Sequence, residues 1–501
     1  MNKRLLHKSY TVILLASIMI ASSCSKILDL EPHNSTFTDA YFTNEQDANT
    51  ALAGAYAILR NVLMTDNCWH MYGDVAAGEF KPDGNYDAGA IDVASGNYIG
   101  GNAPGGLRNW QKFYKLLQQV NLIIDKVPGI DDNKFLDTTA KRHVIGEAYF
   151  LRAFTYFYMS RIWGDVPLKL APDLNADEAK NIPRSPADSV LMQCLADLEI
   201  AKGALDFGYT DGLQRAVRAN KGSVFALEAH IKAWKGDYAG SEIAANEVIT
   251  KGGYQLVDSA NYMQIFIGRS MEGIFEVNIN DGQSEGIALN RYEGGYNAPA
   301  NVLMDPFIDG KSTIAWPLNN TYLSNIYRES GDIRFEKFFY QAGSDKGQTI
   351  KYANITYADG SGKKQPRMAN NMNIFRLADI ILLRAEALNK LGRDPEAIVL
   401  LNQVRNRAGV PDYDGSVDLA SVILEERMRE LFYEGQSYYD LVRTKKLSSF
   451  SPVSNIGYNE NFTDGMFMNG SPLGGWLWPI DNDMFRDDFT LKQTPYWQGK
   501  Y

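Results

Sequence analysis

Apolar residues return at helical spacing through most of this chain, and the breaks in that spacing divide it into elements. Thr43 and Gln46 form a capping-box pattern ahead of Ala48, Leu52, Ala55, Tyr56 and Leu59, which predicts a first helix. The pattern resumes at Trp110, Phe113, Leu116, Leu117, Val120 and Ile124 and stops at Pro128-Gly129. A third helix is expected from about Lys141 to Trp163, ended by Gly164-Asp165-Val166-Pro167. Ser185-Pro186 then places a cap and a first-turn proline before Val190, Leu191, Leu195 and Leu198. Past Leu419 a helix through Glu425, Arg429, Leu431 and Phe432 breaks near Gly435 and ends around Arg443.

Between these lie two helix pairs with the same turn. Lys221 to Trp234 passes through Lys235-Gly236-Asp237-Tyr238 into a second helix, and Ile374 to Leu391 passes through Gly392-Arg393-Asp394-Pro395 into another. A glycine closes the first helix and a small residue, Ser241 or Ala397, follows five places later, as in tetratricopeptide repeats. The two turns are too far apart for a tandem array, so the repeats are dispersed. Long inserts interrupt them at about 65–106 and 256–373, both rich in turn residues, and Gly273 to Ile279 within the second alternates like a short strand.

Composition narrows the function. The chain of 501 residues has 50 Lys+Arg against 60 Asp+Glu, a net charge of -10. Such an acidic body lacks the clustered cations that phosphate backbones require, which argues against nucleic-acid binding. The one terminal basic cluster, Lys3, Arg4 and Lys8, precedes an apolar run from Tyr10 to Ile20 that is too short to span a bilayer. The small residues Ala21, Ser22 and Ser23 follow, then Cys24, so residues 1–23 read as a signal peptide. The position of Cys24 resembles a bacterial lipobox, which implies lipidation there and a tether over 24–35. Cys68 and Cys194 make neither a disulfide framework nor a zinc site, and could pair or remain buried thiols.

Catalytic motifs are mostly absent. There is no nucleophile elbow and no zinc-binding histidine helix, so no catalytic residue, metal or cofactor is assigned. Asp83, Asn85 and Asp87 alternate like the start of a calcium loop, but Gly89 comes one place late and Ala94 replaces the closing Glu. Asp359 to Lys364 reads as a solvated turn, and the Glu425 to Glu430 run as an intrahelical ion-pair network. The aromatic residues carry more information. Trp69, Tyr72 and Tyr98 fall in the first insert, and Tyr292, Tyr296 and Trp316 in the second, among polar and glycine residues. Such rings can stack on a sugar or an extended peptide, with Arg291 and Asn297 as hydrogen-bond donors; otherwise they pin the loops to the body. These eight residues are the candidate ligand site.

Several stretches together resemble a known family. They are Cys24-Ser25-Lys26-Ile27-Leu28-Asp29 with Glu31-Pro32, Gly146-Glu147-Ala148-Tyr149-Phe150-Leu151-Arg152-Ala153 running to Trp163-Gly164-Asp165-Val166-Pro167-Leu168, and Ile182-Pro183-Arg184-Ser185. Further on come Arg376-Leu377-Ala378-Asp379, Leu401-Asn402-Gln403-Val404-Arg405-Asn406-Arg407, and Glu425-Glu426-Arg427-Met428-Arg429-Glu430-Leu431 through Glu434-Gly435 to Tyr439-Asp440-Leu441. In this order they resemble the SusD/RagB nutrient-binding outer-membrane lipoproteins. The resemblance implies a mainly α fold, with about four tetratricopeptide-like helix pairs in a right-handed superhelical scaffold. Long loops and small β elements would form the ligand face of a single domain over 36–501. It also implies a non-enzymatic, lipid-anchored, cell-surface protein that binds an oligosaccharide or peptide and delivers it to a SusC-like TonB-dependent transporter. A secreted hydrolase on a helical scaffold and a protein-protein adaptor are the alternatives.

Overall fold

A computed structural model describes residues 41–175, 178–209, 211–279, 287–288, 298–359, 364–447, 467–468, 471–472 and 474–500. The first helix, α1 (Glu45–Met64), is capped one residue later than the Thr43 pattern predicts. Asn44 accepts the Asp47 N–H at 3.1 Å, while the Asp47 carboxylate takes the Thr43 N–H at 3.0 Å. Asp47 thus reaches back to the residue before the cap, so the box is not reciprocal, and an aspartate in the first turn also suits the helix dipole. Then follow α2 (Gln111–Lys126), α3 (Thr138–Trp163), α4 (Ala187–Ala204), α5 (Lys221–Trp234) and α6 (Tyr238–Lys251). After the second insert come α7 (Leu377–Lys390), α8 (Asp394–Arg407), α9 (Leu419–Glu430) and α10 (Ser437–Arg443). Ser185 does not cap α4. It pairs as a strand residue with Val166, and the Asp165 carboxylate takes the Ala187 N–H instead, at 2.8 Å.

The helices pack as four pairs, α1/α2, α3/α4, α5/α6 and α7/α8, and each pair also touches the next. The fold is therefore mainly α, a stacked helix-pair scaffold of the expected kind. Gly236 (φ 79°) and Gly392 (φ 73°) close the turns of the third and fourth pairs. Each has open space where a Cβ would stand, so these glycines answer a left-handed backbone and not crowding. The small residues that follow do pack between helices. Ser241 is buried and donates its hydroxyl to the Ala229 carbonyl of α5 at 2.9 Å, and Ala397 is fully buried in a cluster with Ala378, Ile381 and Leu401. Ala397→Leu should overpack that cluster and cost about 1 to 3 kcal/mol, read as a lowered melting temperature.

The inserts carry the β structure. Strand β1 (Gly273–Val277) pairs antiparallel with β4 (Met372–Arg376), and all residues of both are buried against the helices. Strands β2 (Ile355–Asp359) and β3 (Lys364–Met368) pair antiparallel with Asp359 opposite Lys364, the residues between these two lie outside the described ones, and Ile287–Ala288 pairs with β3. The first insert is less of a loop than its composition suggests. A short helix Cys68–His70 runs into a π-turn Met71–Val75, a helix covers Ala88–Ala94, and residues 67–80 are buried. Cys68 and Cys194 are both buried free thiols, and burial pushes the Cys68 thiol up to about 11.

The acidic and basic run on α9 is mostly not intrahelical. Glu426 pairs with Arg429 three residues on, but also with Arg334 at 2.6 Å, and Arg427 reaches Asp379 and Asp440, both at 2.8 Å. Glu430 takes Arg376, Arg407 and Arg334. The run is the hub of a buried network joining α7, α8, β4 and the second insert. These guanidiniums hold Glu426 down to about 2 and Glu430 well below the usual carboxylate range, despite burial.

Candidate functional site

The two inserts meet. Backbone bonds run from the Lys81 N–H to the Pro317 carbonyl (3.0 Å), from Asp83 to Ala315 (2.8 Å) and from Asn319 to Glu79 (3.0 Å), around an antiparallel bridge between Phe80 and Leu318. A third segment joins them: the Ala315 and Trp316 N–H groups both bond the carbonyl of Asn301, in the helix Ala298–Val302. Arg291, Tyr292, Tyr296 and Asn297 lie outside the described residues, immediately before that helix. The inserts share an anchor in the turn between α9 and α10. Asp74 accepts the Gly435 N–H and Glu79 accepts the Tyr433 N–H and the Ser437 hydroxyl. From the second insert, Lys351 bonds the Glu430 and Phe432 carbonyls and Glu434. Burial pushes the Asp74 and Glu79 carboxyls up and draws the Lys351 ammonium down to about 8.

The four candidate rings in the described residues are interior. Trp69 stacks on Tyr158 at 5.4 Å and lies against the Cα of Gly435, where a Cβ would stand 2.3 Å from the indole. Tyr72 donates its hydroxyl to the Leu107 carbonyl at 2.6 Å and meets Trp478 edge-on. Tyr98 stacks on Trp478 at 4.1 Å, with its hydroxyl on that of Tyr438 at 3.1 Å. The Trp316 indole N–H donates to Asp87 at 2.9 Å. All four are at most 1% exposed, so none has a face for a ligand; they are the pins of the loops and not stacking platforms. A partner for each ring, such as Trp478 for Tyr98, comes from a distant segment, which composition around the ring does not reveal. The Asp83-Asn85-Asp87 pattern serves a turn, a helix cap and the Trp316 indole. Asp83 closes a turn on Asn85, and Asp87 caps the helix Ala88–Ala94 through the Ala90 N–H. Tyr86, between them, is an exposed ring at the junction of the inserts.

Two concavities lie along α1. At its C-terminal end Leu63, Met64, Ile279, Met368 and Met372 surround a small apolar pocket, with His70, Asn67 and Tyr352 at its wall. Asp66 (φ 57°) and Asn67 (φ 52°) there adopt left-handed backbone, a strain found often at binding sites. Burial brings His70 down to about 3, so its ring is neutral, with Nδ1 2.6 Å from Asp74. Further toward the middle of α1, a groove of about 300 Å³ lies between Tyr56, Ala57 and Arg60 on one side and Arg218, Arg269 and Val277 on the other. That volume falls in the range of small-molecule sites. Arg60, Arg218 and Arg269 are absent from the sequence-based candidates, because they come together from three separated segments.

Glu276 lines the same groove. Burial raises its carboxyl to about 7, although the Arg269 N–H and the Asn371 amide both donate to it, each at 2.8 Å. The folded state thus holds a proton that the unfolded chain gives up above about 4.5. Its contribution is present in acid and is lost as pH rises through about 7. Glu276→Gln, which matches the protonated form, should change melting little at acidic pH and raise the melting temperature relative to wild type above neutrality.

With this geometry in place, comparison with known proteins is informative. The sequence profile described as "SusD family" matches residues 291–497, and that described as "Starch-binding associating with outer membrane" matches 28–232. SusD-like protein P38 of Formosa agariphila is 27% identical, over 91% of this chain and 95% of its own length. A SusD-like protein of Bacteroides ovatus is 24% identical over 88% of this chain and 83% of its own. The crystal structure of a SusD homolog from Bacteroides thetaiotaomicron superposes with a TM-score of 0.72 at 27% identity, covering 91% of this chain and 98% of that one. A structure named as a laminarin binding SusD-like protein shares the fold, with a TM-score of 0.68 at 21% identity over 91% of this chain and all of the other. The profiles fall on both halves of the helical scaffold, and the chain belongs to the SusD/RagB family.

Proposed function

We propose that the protein captures an oligosaccharide at the cell surface and hands it, unaltered, to a SusC-like TonB-dependent outer-membrane transporter. What carries this reading is the family scaffold, with its two polar inserts meeting on one another around Phe80 and Leu318. The laminarin-binding relative of the same fold supports a glycan over a peptide as the ligand. Binding without catalysis fits the residues present. The buried carboxyls Asp74 and Glu79 are committed to backbone and hydroxyl donors, which leaves them structural.

The ligand face would include the exposed Tyr86 and the groove along α1, with Arg291, Tyr292, Tyr296 and Asn297 entering from the segment before Asn301. The Asn301 side-chain amide is fully buried and has no partner among the described residues, which suits a position where this segment or a ligand completes the hydrogen bonding.

In this reading residues 1–23 are removed, Cys24 carries the lipid, 24–35 is a tether and 36–501 is one SusD-like domain. No helix among the described residues is long and apolar enough to cross a membrane, so attachment would rest on acyl chains. Two or three chains suffice, at about 0.8 kcal/mol per buried CH₂. Cys24→Ala should therefore release the protein from the membrane fraction or stall its processing. A variant that stays membrane-bound and is normally processed would remove the lipoprotein part of the proposal. Co-purification of the wild-type protein with a TonB-dependent barrel tests the partner.

A further inference from the structure

We infer that the groove between α1 and the end of β1 binds anionic groups, so that the glycan taken by this protein carries carboxylates or sulfate esters. This rests on the glycan reading above and specifies its ligand. Three guanidiniums, of Arg60, Arg218 and Arg269, line one groove of a protein whose net charge is -10. Two of them converge on a single residue. Arg60 bonds the Asn278 carbonyl at 3.1 Å through Nη1, and Arg269 bonds the Asn278 side-chain oxygen at 2.9 Å through Nη2. The other guanidinium bond of Arg269 goes to the Leu213 carbonyl at 2.9 Å, so both its acceptors are neutral, and three of its five N–H groups remain.

Arg218 is held differently. Glu147 takes two of its N–H groups, at 2.6 and 2.8 Å, and the Tyr56 hydroxyl also reaches Glu147 at 2.5 Å. That pairing fixes the guanidinium under the Tyr56 ring, 5.4 Å from its centre. Glu147 balances Arg218 and the Glu276 carboxyl lies in the same groove, so an anion would meet chiefly Arg269, whose remaining N–H groups can hold a planar carboxylate or a sulfate with bidentate bonds.

Backbone strain points to the same place. Ala216 (φ 61°) and Arg269 (φ 55°) are left-handed without being glycine. Both belong to the groove's wall segments, and Ala216 is held there by the Glu276 N–H on its carbonyl at 2.8 Å. Such conformations persist where the surroundings over-determine them, as at ligand clamps.

The test is electrophoresis of the lipid-free protein through gels cast with polygalacturonate, alginate, chondroitin sulfate or fucoidan. Carboxyl-reduced or desulfated forms of each, and laminarin as a neutral polymer, run alongside. At least one acidic polymer should retard the protein about tenfold more strongly than its neutralised form. The effect should weaken in about 0.5 M NaCl, since exposed charge interactions are screened. The uronate and sulfate arms show which anion is read. Arg269→Gln should lose most of the retention, while Arg269→Lys, which keeps the charge, retains more, and both should melt near wild type. Retention only by neutral polymers would overturn this inference and leave glycan capture standing, as would acidic retention unchanged in Arg269→Gln. Retention by none of the polymers would overturn both.

Discussion

Trp316→Ala is expected to destabilise the protein by about 3 to 5 kcal/mol, the cost of removing a large buried ring. The indole is fully buried, lies 6.1 Å from the Phe80 ring and donates to Asp87 at 2.9 Å. Its removal opens a cavity beneath the Phe80–Leu318 bridge and leaves the Asp87 oxygen without its donor. Trp69→Ala should behave alike, since its indole fills the space over Gly435. Chemical denaturation reads the effect directly. The distinguishing outcome is the relation between stability and binding: any loss of ligand affinity in these variants should follow unfolding and vanish where the protein remains folded. A variant that keeps wild-type stability and loses binding would restore the ring as a platform.

A second large effect is expected at Arg376, which ends β4 and begins α7. All five of its N–H groups are used, by Glu434 (2.7 and 2.8 Å), Glu272 (2.7 Å), the Glu430 carboxylate (2.6 Å) and the Glu430 carbonyl (2.7 Å). Arg376→Leu leaves three buried carboxylates facing one another with less compensation, which should cost about 3 to 5 kcal/mol. The pH dependence gives the cause. In the wild type, neighbouring guanidiniums hold the Glu430 carboxyl below its ordinary 4.5, so their stabilisation is present above that value and is lost as pH falls. The deficit of the variant should therefore be greatest near neutrality and shrink in acid. A deficit independent of pH would mean that packing, and not charge, sets the role of Arg376.

The scaffold was legible in the sequence because helices announce themselves locally. The stripe of Ala48, Leu52, Ala55 and Leu59, and the turns at Gly236 and Gly392, each need only a few neighbouring residues to be read. Caps were displaced where another segment intervened, as when Asp165 caps α4 from across a strand pair. The candidate site was harder for the same reason taken further. That the two inserts meet follows from bonds between residues near 80 and near 317, and whether Tyr98 is a platform or a pin depends on Trp478, far along the chain. The acidic and basic run on α9 likewise reads as a surface helix until Arg334, Arg376 and Arg407 arrive from three other elements. Arg60, Arg218 and Arg269 carry no local pattern; only the fold brings them to one groove.

The central claim, capture of a glycan without turnover, is tested most directly by calorimetric titration. The lipid-free protein is titrated with oligosaccharides cut from whichever polysaccharide retards it in gels, and the ligand is recovered afterwards for chromatography. The account predicts saturable heat at one class of site and ligand returned at its original length. Shortened products, or absence of binding by a fully folded protein to every glycan offered, would contradict it.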